Sequence, residues 1–195
     1  MPRRTKAQSE ATAAAIVAAA RGLYAERGYA SVAVEEVAAA GGVTRGAVYH
    51  HFGSGVGLFA AVHADATAGI AVAIERATDG VRDPWQSLEA GCRAFLAAAV
   101  ADDARQVVLV DGPAVLGWER WRDDDARSSG RLLDQVLEEL AADGLVRAAD
   151  VPATSALLSG AMNEAALWVA AAPDRDRALG QAWEALRRLL RGVRA

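Results

Sequence analysis

The sequence GVTRGAVYHHF, residues 42–52, decides how this chain folds. The pair Gly41-Gly42 separates it from a short run of apolar and acidic residues at 34–40. Glycine adopts positive φ readily, so either glycine can end a first helix and turn the chain. Thr44 is a good N-cap for a second short helix. A helix, a glycine turn and a capped helix together predict a helix-turn-helix, whose second helix enters the DNA major groove.

The second of these helices is predicted to have two different faces. Ala47, Val48 and Phe52 can pack inward, while Thr44, Arg45, Tyr49 and His50 can face outward. Such an outer face of donors and flat rings suits phosphates and base edges. The Arg45 side chain can bond a guanine edge, contact a phosphate or remain solvated. Gly46 is expected to let the helix approach the phosphate backbone closely.

Residues 28–29, 34–38, 40–52 and 58–59 together resemble the N-terminal domain of TetR-family transcriptional regulators. The resemblance covers roughly the first sixty residues and includes the helices that flank the helix-turn-helix. It implies that Tyr49 contacts the DNA backbone, that Thr44 reaches DNA, and that the chain forms a homodimer through its last two helices.

Two positions depart from the family's pattern. Ala33 stands where many members have Ser or Thr, and Gly55 stands where many have Lys. Each lost charged contact with a phosphate lowers DNA affinity, and it lowers the slope of log affinity against log salt concentration by roughly one unit. The net effect of these two positions on affinity stays open.

Other polar residues near the motif leave alternatives open. Arg3, Arg4 and Lys6 precede a predicted first helix at 7–27 and form either a phosphate-seeking arm or a solvated tail. His50 can reach a phosphate or a base, whereas His51 packs or caps the helix end. We expect no metal at this histidine pair, because adjacent helical residues point about 100° apart and no cysteine or acid lies nearby.

The charge is distributed unevenly along the 195 residues. The net charge is −4, which taken alone argues against a nucleic-acid partner. Residues 1–58, however, hold six Lys or Arg and four Asp or Glu, a net +2, and the remainder holds fifteen and twenty-one, a net −6. A positively charged N-terminal segment on an acidic remainder favours DNA binding by the N-terminal segment.

Composition places the chain among soluble intracellular proteins. The single cysteine, Cys92, excludes an intrachain disulfide and fits a reducing cytoplasm. The basic N-terminus leads into an alanine-rich helix without a signal-peptide core. We expect no apolar run to reach the roughly eighteen residues that span a membrane, and therefore no membrane partner.

Periodicity and the abundance of alanine predict an all-α protein of about nine helices. We divide it into a helix-turn-helix domain at 1–53 and a ligand-binding and dimerisation domain at 54–195. Ser54 is predicted to cap a long fourth helix, about 55–78, that links the two domains mechanically. Further features are predicted at these positions: a helix starting at Asp83-Pro84, a cap at Asp102-Asp103, a break at Asp111-Gly112-Pro113, a kink around residues 128–130, and helix starts at Asp150 and Pro173.

The second domain carries no catalytic constellation, so we expect neither an enzyme nor a cofactor. Bulky aromatic residues with a few polar groups can line an apolar ligand pocket in a helical bundle, although core packing explains most of them equally well. The pocket candidates are His63, Trp85, Phe95, Asp111, Trp118, Trp121, Met162 and Asn163. The acidic run Asp123-Asp124-Asp125 is interpreted as a solvated face.

The last two helices are apolar on more than one side, which favours a two-fold interface. Its candidates are Leu157, Leu158, Ala161, Ala165, Trp183, Leu186 and Leu190. The sequence therefore indicates a ligand-responsive repressor that leaves a palindromic operator when a small, largely apolar effector binds. A helical enzyme and an architectural DNA-binding protein without a ligand are the two alternatives. A catalytic constellation would favour the first, and a fully packed body the second.

Overall fold

A computed structural model describes residues 6–195, apart from the side chain of Ala148. This part of the chain contains helices and no strand. Two π-helical segments join α6 to α7 and α8 to α9, so the backbone runs as nine continuous helices, and the all-α prediction is confirmed. The helices are α1 (Lys6–Arg27), α2 (Val34–Ala40), α3 (Arg45–Phe52), α4 (Gly55–Thr78), α5 (Pro84–Ala99), α6 (Asp102–Arg105), α7 (Gly112–Leu116), α8 (Trp118–Asp125), α9 (Arg131–Ala142), α10 (Val151–Ala171) and α11 (Arg175–Val193), with the π-helical segments at Gln106–Asp111 and Ala126–Gly130 and short 3-10 turns at Tyr29–Ser31 and Ala148–Asp150.

Helices α1 to α3 form the head, and the turn inside it follows the sequence closely. Gly42 has a φ of 64° and turns the chain after α2, while Gly41 lies against Ile16 of α1. The Thr44 hydroxyl accepts a hydrogen bond from the Ala47 N–H at 3.2 Å and caps α3. Val48 points into the core and is 1 % exposed. These contacts fix the angle between α2 and α3 and leave the other side of α3 in solvent.

The start of α2 lacks a capping hydroxyl because its N-cap residue is Ala33. Glu36 supplies a different contact, since its Oε1 accepts from the Ala33 N–H at 3.1 Å. This is the carboxylate half of a capping box. Arg27 of α1 pairs with the same carboxylate at 2.7 Å and ties α2 to α1.

A tight turn and an aromatic cluster join the head to the long helix α4. Gly53 has a φ of 74°, and the Ser54 hydroxyl caps α4 by accepting from the Gly57 N–H at 2.9 Å. The rings of Tyr24, Tyr29 and Phe59 have centroids 5.1 to 5.8 Å apart. The first turns of α4 therefore pack against the head, and its later turns pack against α5 and the rest of the body.

The body departs from the sequence prediction in two places, the break after Asp111 and the cap of α6. No break occurs at Asp111-Gly112-Pro113. The helix continues through a π-helical segment, and Pro113 lies in the first turn after it, where a missing N–H costs least. The chain breaks instead at Gly117, with a φ of 83°. Around residues 128–130, where the sequence predicts a kink in a continuous helix, α8 continues into α9 through another π-helical segment. The α6 helix begins after Ala101 rather than with an aspartate cap.

Helix α4 is long and apolar enough to cross a membrane by length and composition, contrary to the sequence-based judgement that no such run exists. In this fold 44 % of the most apolar 18-residue stretch of α4 is buried inside the protein. Its buried apolar residues form one continuous stripe in the core: Leu58, Phe59, Val62, Ala66, Ile70 and Ile74. Such a stripe is what the core helix of a soluble bundle shows.

We predict that Gly57→Ala destabilises the junction between head and α4. A Cβ at this position would overlap the Phe52 carbonyl oxygen, so the turn would have to open. Overpacking of this kind costs about 1–3 kcal/mol, and each kcal/mol lowers the melting temperature by about 2–4 °C in a chain of this size. Thermal unfolding followed by circular dichroism measures the shift.

The control for this substitution is Gly22→Ala on the exposed side of α1, where a Cβ meets nothing within 4 Å. It should stabilise the helix by up to about 1 kcal/mol. Equal melting temperatures for the two variants would contradict the close contact at Gly57.

Candidate functional site

The outward face of α3 presents the polar side chains that the sequence placed there. Thr44, Arg45, Gly46, Tyr49 and His50 are all exposed, and Tyr49 is 38 % exposed despite its size. A Cβ on Gly46 would meet only the Thr44 hydroxyl, at 3.8 Å, so this part of the helix is smooth and open. The face can therefore approach a large flat or grooved partner without rearranging the head.

Arg45 is held in place by its neighbours. Its Nη1 lies 2.7 Å from Glu35 Oε1 of α2, and its guanidinium carbon lies 5.3 Å from the centre of the Tyr49 ring. The Tyr49 hydroxyl and the Glu35 carboxylate both raise the pKa of Arg45 above its usual value. The exposed face thus carries a fixed cation, but its charge is partly balanced by Glu35.

The remaining polar candidates near the head occupy different environments. His51 is half-buried, with its ring 6.0 Å from that of Phe52. Lys6 begins α1 and lies 3.8 Å from Glu10, whereas Arg3 and Arg4 fall outside the described residues. At Gly55 a Cβ would come within 3.3 Å of the Tyr29 hydroxyl, so a lysine there would press on the aromatic cluster.

The body contains a cavity of about 140 Å³ between α4, α5, α9 and α10. Its wall is mainly apolar and includes Ile74, Leu88, Phe95, Leu133, Val136 and Met162. Cys92 also lines it, and burial raises the pKa of this thiol to about 12. An engineered cavity of similar volume takes up a benzene-sized molecule, so a single ring fits here.

A second, much smaller cavity of about 10 Å³ adjoins the first, and Phe95, Asp125 and Ser129 line both. It is also lined by His63, Thr67, Ile70, Val108, Trp121 and Asn163. Among the described residues, His63 Nδ1, His63 Nε2 and Asn163 Nδ2 are buried without a hydrogen-bond partner. Burial lowers the pKa of His63, although Asp124 opposes this shift.

A polar network built on Asp125 closes one side of both cavities. Its carboxylate accepts from the hydroxyls of Ser129 and Ser159, each at 2.9 Å, and lies 3.2 Å from Arg122 Nη1. Asp125 is 9 % exposed, so it does not belong to a solvated acidic face as the sequence suggested. The spacing of Asp125 and Ser129, four residues apart, is the signal that could have placed them on one helix face.

The structure brings together five of the eight pocket candidates. His63, Phe95, Trp121, Met162 and Asn163 line one cavity or both.

The other three candidates lie elsewhere for identifiable reasons. Trp118 is 66 % exposed after the turn at Gly117. The Trp85 N–H donates to Glu89 at 3.3 Å, and Arg194 covers its ring. Asp111 bonds to the head, as described below.

Comparison with known proteins identifies the chain. The family model described as "Tetracyclin repressor-like, C-terminal domain" matches residues 85–193, and the model described as "Bacterial regulatory proteins, tetR family" matches residues 16–62. A crystal structure of a TetR-family transcriptional regulator from Pectobacterium atrosepticum is 34 % identical, with a TM-score of 0.82 over 98 % of each chain. This chain belongs to the TetR family.

Curated relatives agree with this assignment. The transposon Tn10 TetC protein of Escherichia coli is 24 % identical over 151 residues, which cover 77 % of this chain and 76 % of TetC. The HTH-type transcriptional repressor BepR of Brucella suis is 34 % identical over 108 residues, or 55 % of this chain and 52 % of BepR. TetR-family regulators are soluble cytoplasmic proteins that bind DNA, dimerise and respond to ligands, and they are not enzymes.

In this TetR-family chain, Asp111 connects the body to the head. Its Oδ2 accepts from the Tyr29 N–H at 2.8 Å, and its Oδ1 accepts from Gln106 Nε2 at 3.1 Å. Arg21 of α1 adds ion pairs to Asp65 at 2.9 Å and to Asp103 at 2.5 Å. The head is therefore attached to the body by these polar contacts as well as by α4.

The residues expected at a dimer interface divide into two groups. Leu158, Leu186 and Leu190 are at most 4 % exposed and belong to the core of a single protomer. Leu157 is 74 % exposed, and Ala161, Ala165 and Trp183 are half-buried. Trp168 and Leu189, which the sequence analysis did not select, are more than half exposed. Both faces of α10 are apolar, so the sequence alone could not distinguish its inner from its outer face. The outer face of α11 is mainly charged, contrary to the prediction that this helix is apolar on more than one side.

We predict that Asp111→Ala loosens the attachment of the head. A hydrogen bond to a charged group contributes about 1.5–3 kcal/mol, so the Tyr29 amide should exchange with solvent at least about tenfold faster. Hydrogen–deuterium exchange resolved at this amide measures the effect.

Asp111→Asn retains a carbonyl acceptor and should show a smaller change. Unaltered exchange at Tyr29 in both variants would contradict the role assigned to Asp111.

Proposed function

We propose that this protein is a ligand-responsive repressor that binds a palindromic operator as a homodimer and leaves it when a small, largely apolar effector binds. The observation that carries the proposal is the exposed, polar outer face of α3 on a head that is tied to a cavity-containing body. An architectural DNA-binding protein would need no cavity, so the space among α4, α5, α9 and α10 favours the ligand-responsive form. The division at 1–53 and 54–195 and a cytoplasmic location are part of the same proposal.

In the DNA complex, α3 lies in the major groove. Arg45 contacts a guanine edge or a phosphate, and Tyr49 contacts the backbone. Thr44, Gly46 and His50 line the same face and approach the duplex with them. Arg3, Arg4 and Lys6 extend from the start of α1 as a basic arm that adds phosphate contacts.

Two heads must present their α3 helices to successive major grooves, about 34–36 Å apart. A two-fold interface on the outward side of α10 and α11 supplies this arrangement. It would bury Leu157, Ala161, Ala165 and Trp183, together with Trp168 and Leu189. These residues are exposed or half-buried in a single protomer, as an interface requires.

Release follows if the effector binds better to a form whose head spacing no longer matches the DNA. The change can pass along α4 and through Gly112. This glycine follows the head-binding residue Asp111 in the chain and lies against the ring of the cavity residue His63. A nearly complete switch, from 1:99 to 99:1, requires a preference of about 5.5 kcal/mol for the non-binding form.

We predict that Arg45→Ala and Tyr49→Ala both weaken operator binding. Loss of a bidentate base contact costs about 1–3 kcal/mol, which corresponds to roughly five- to 150-fold in affinity for Arg45→Ala. A mobility-shift assay with a duplex selected from a random library by the wild-type protein measures this. The control is Arg131→Ala, which removes an exposed arginine of the body and should leave affinity unchanged. Unaltered binding by both head variants would overturn the assignment of α3 as the DNA-binding helix.

We also predict that Glu35→Gln strengthens operator binding by about two- to fivefold at low salt. Exposed ion pairs contribute only about 0–1 kcal/mol, but this one competes directly with DNA for Arg45. Fluorescence anisotropy of a labelled duplex at several salt concentrations measures both affinity and salt slope.

Glu26→Gln is the matched control, because it removes an exposed head carboxylate for which the structure shows no pairing with Arg45. Equal gains from the two substitutions would mean that only the net charge of the head matters and that the Arg45–Glu35 pair has no specific role.

A further inference from the structure

Two buried polar side chains face the smaller cavity without partners inside the protein. His63 is 1 % exposed and Asn163 is 7 % exposed. Neither ring nitrogen of His63 and neither N–H of Asn163 Nδ2 is hydrogen-bonded within the chain. Buried polar groups are satisfied in nearly all native proteins, so an exception of this kind asks for an explanation.

The imidazole of His63 is confined by its surroundings. A Cβ on Gly112 would lie 3.2 Å from both Nε2 and Cδ2 of the ring, so the backbone of Gly112 lies directly against it. The Phe59 ring lies on another side, with centroids 6.4 Å apart. The ring therefore has little freedom to turn toward another partner, and it lines the smaller cavity in this confined position.

The protonation of His63 leaves one donor and one acceptor. Burial lowers its pKa, so the ring is neutral near neutral pH. Asp124 Oδ2 lies 3.9 Å from Nδ1, which favours the proton on that nitrogen. Nε2 is then an acceptor, and Nδ2 of Asn163, which lines the same cavity, is a donor. A hydroxyl group can satisfy both, since it donates one hydrogen bond and accepts another.

The charges around the cavity disfavour an ionised ligand. Asp125 supplies a carboxylate to the wall, and Arg122, Ser129 and Ser159 already bond to it. A ligand carboxylate would meet this negative charge without a free cation in the described lining. A ligand cation would find the Asp125 charge already balanced by Arg122, and Glu139, the other carboxylate of the lining, is exposed to solvent.

The sizes of the two spaces match the two parts of such a molecule. The smaller cavity, about 10 Å³, accommodates roughly one oxygen atom. The larger one, about 140 Å³, accommodates a ring and begins at Phe95, Asp125 and Ser129, which line both.

We propose that the two cavities form a single binding site for an uncharged, hydroxyl-bearing ring compound of about the size of phenol. The hydroxyl donates to His63 Nε2 and accepts from Asn163 Nδ2, and the ring lies against Phe95, Leu88 and Met162. The inference rests on the proposed ligand-responsive function, because it names the chemistry of the effector, but its test requires no DNA.

Isothermal titration calorimetry with three probes tests the site in the intact wild-type protein. Phenol should bind at least tenfold more tightly than toluene, which has the same shape without the hydroxyl, and than benzoate, which carries a charge. Asn163→Leu and His63→Phe should remove the preference for phenol over toluene while toluene binding persists. The matched control Glu164→Gln, at an exposed position of the same helix, should bind all three probes as the wild type does.

Three outcomes would overturn the proposal: no phenol binding by the wild type, no preference for phenol over toluene or benzoate, or full preference in both variants. Circular dichroism shows whether the variants are folded. If they are not, the comparison of the three probes on the wild type still tests the proposal.

Selection of a palindromic duplex by the same protein is a separate measurement. Its failure beside an intact phenol preference would refute the repressor function alone, and the reverse result would refute the site alone.

Discussion

The hydrogen bond from the Tyr29 N–H to Asp111 determines how the parts of this molecule can influence one another. Asp111 ends the π-helical segment of the body, and Tyr29 opens the turn between α1 and α2. The Tyr29 ring packs on Phe59 of α4, so the backbone contact and the aromatic cluster hold the same turn from two sides. The neighbouring residue Gly112 touches His63. A displacement at the cavity wall is therefore one residue away from the group that holds the head.

Local signals in the sequence were sufficient to predict the helices of the head and the positions of most helix ends. Thr44, Ser54, Asp83 and Asp174 each cap a helix through a side-chain oxygen, as their residue types indicate. Helix α3 also turns its polar side outward as its periodicity required. These features depend on residues three or four apart, which a single sequence records directly.

The body was predicted less well because its features depend on contacts between distant residues. Asp111 and Tyr29 are 82 positions apart, and no local pattern relates them. Asp125 is buried because Ser159, on another helix, provides a hydroxyl for it, whereas the run of three aspartates suggested solvent. In α10 the apolar residues surround much of the helix, so periodicity could not choose between the inward Leu158 and the outward Leu157. Pro113 was expected to break a helix that a π-helical segment allows to continue.

Cys92, the single cysteine of the chain, lies in the wall of the larger cavity. Oxidants and alkylating agents react with thiolates, and burial keeps this sulfur protonated at physiological pH. A chain with one such sulfur cannot form an internal disulfide, and its burial denies access to a sulfur of another subunit. Cys92 is therefore a poor redox sensor, and the response of the protein is set by which molecules enter the body.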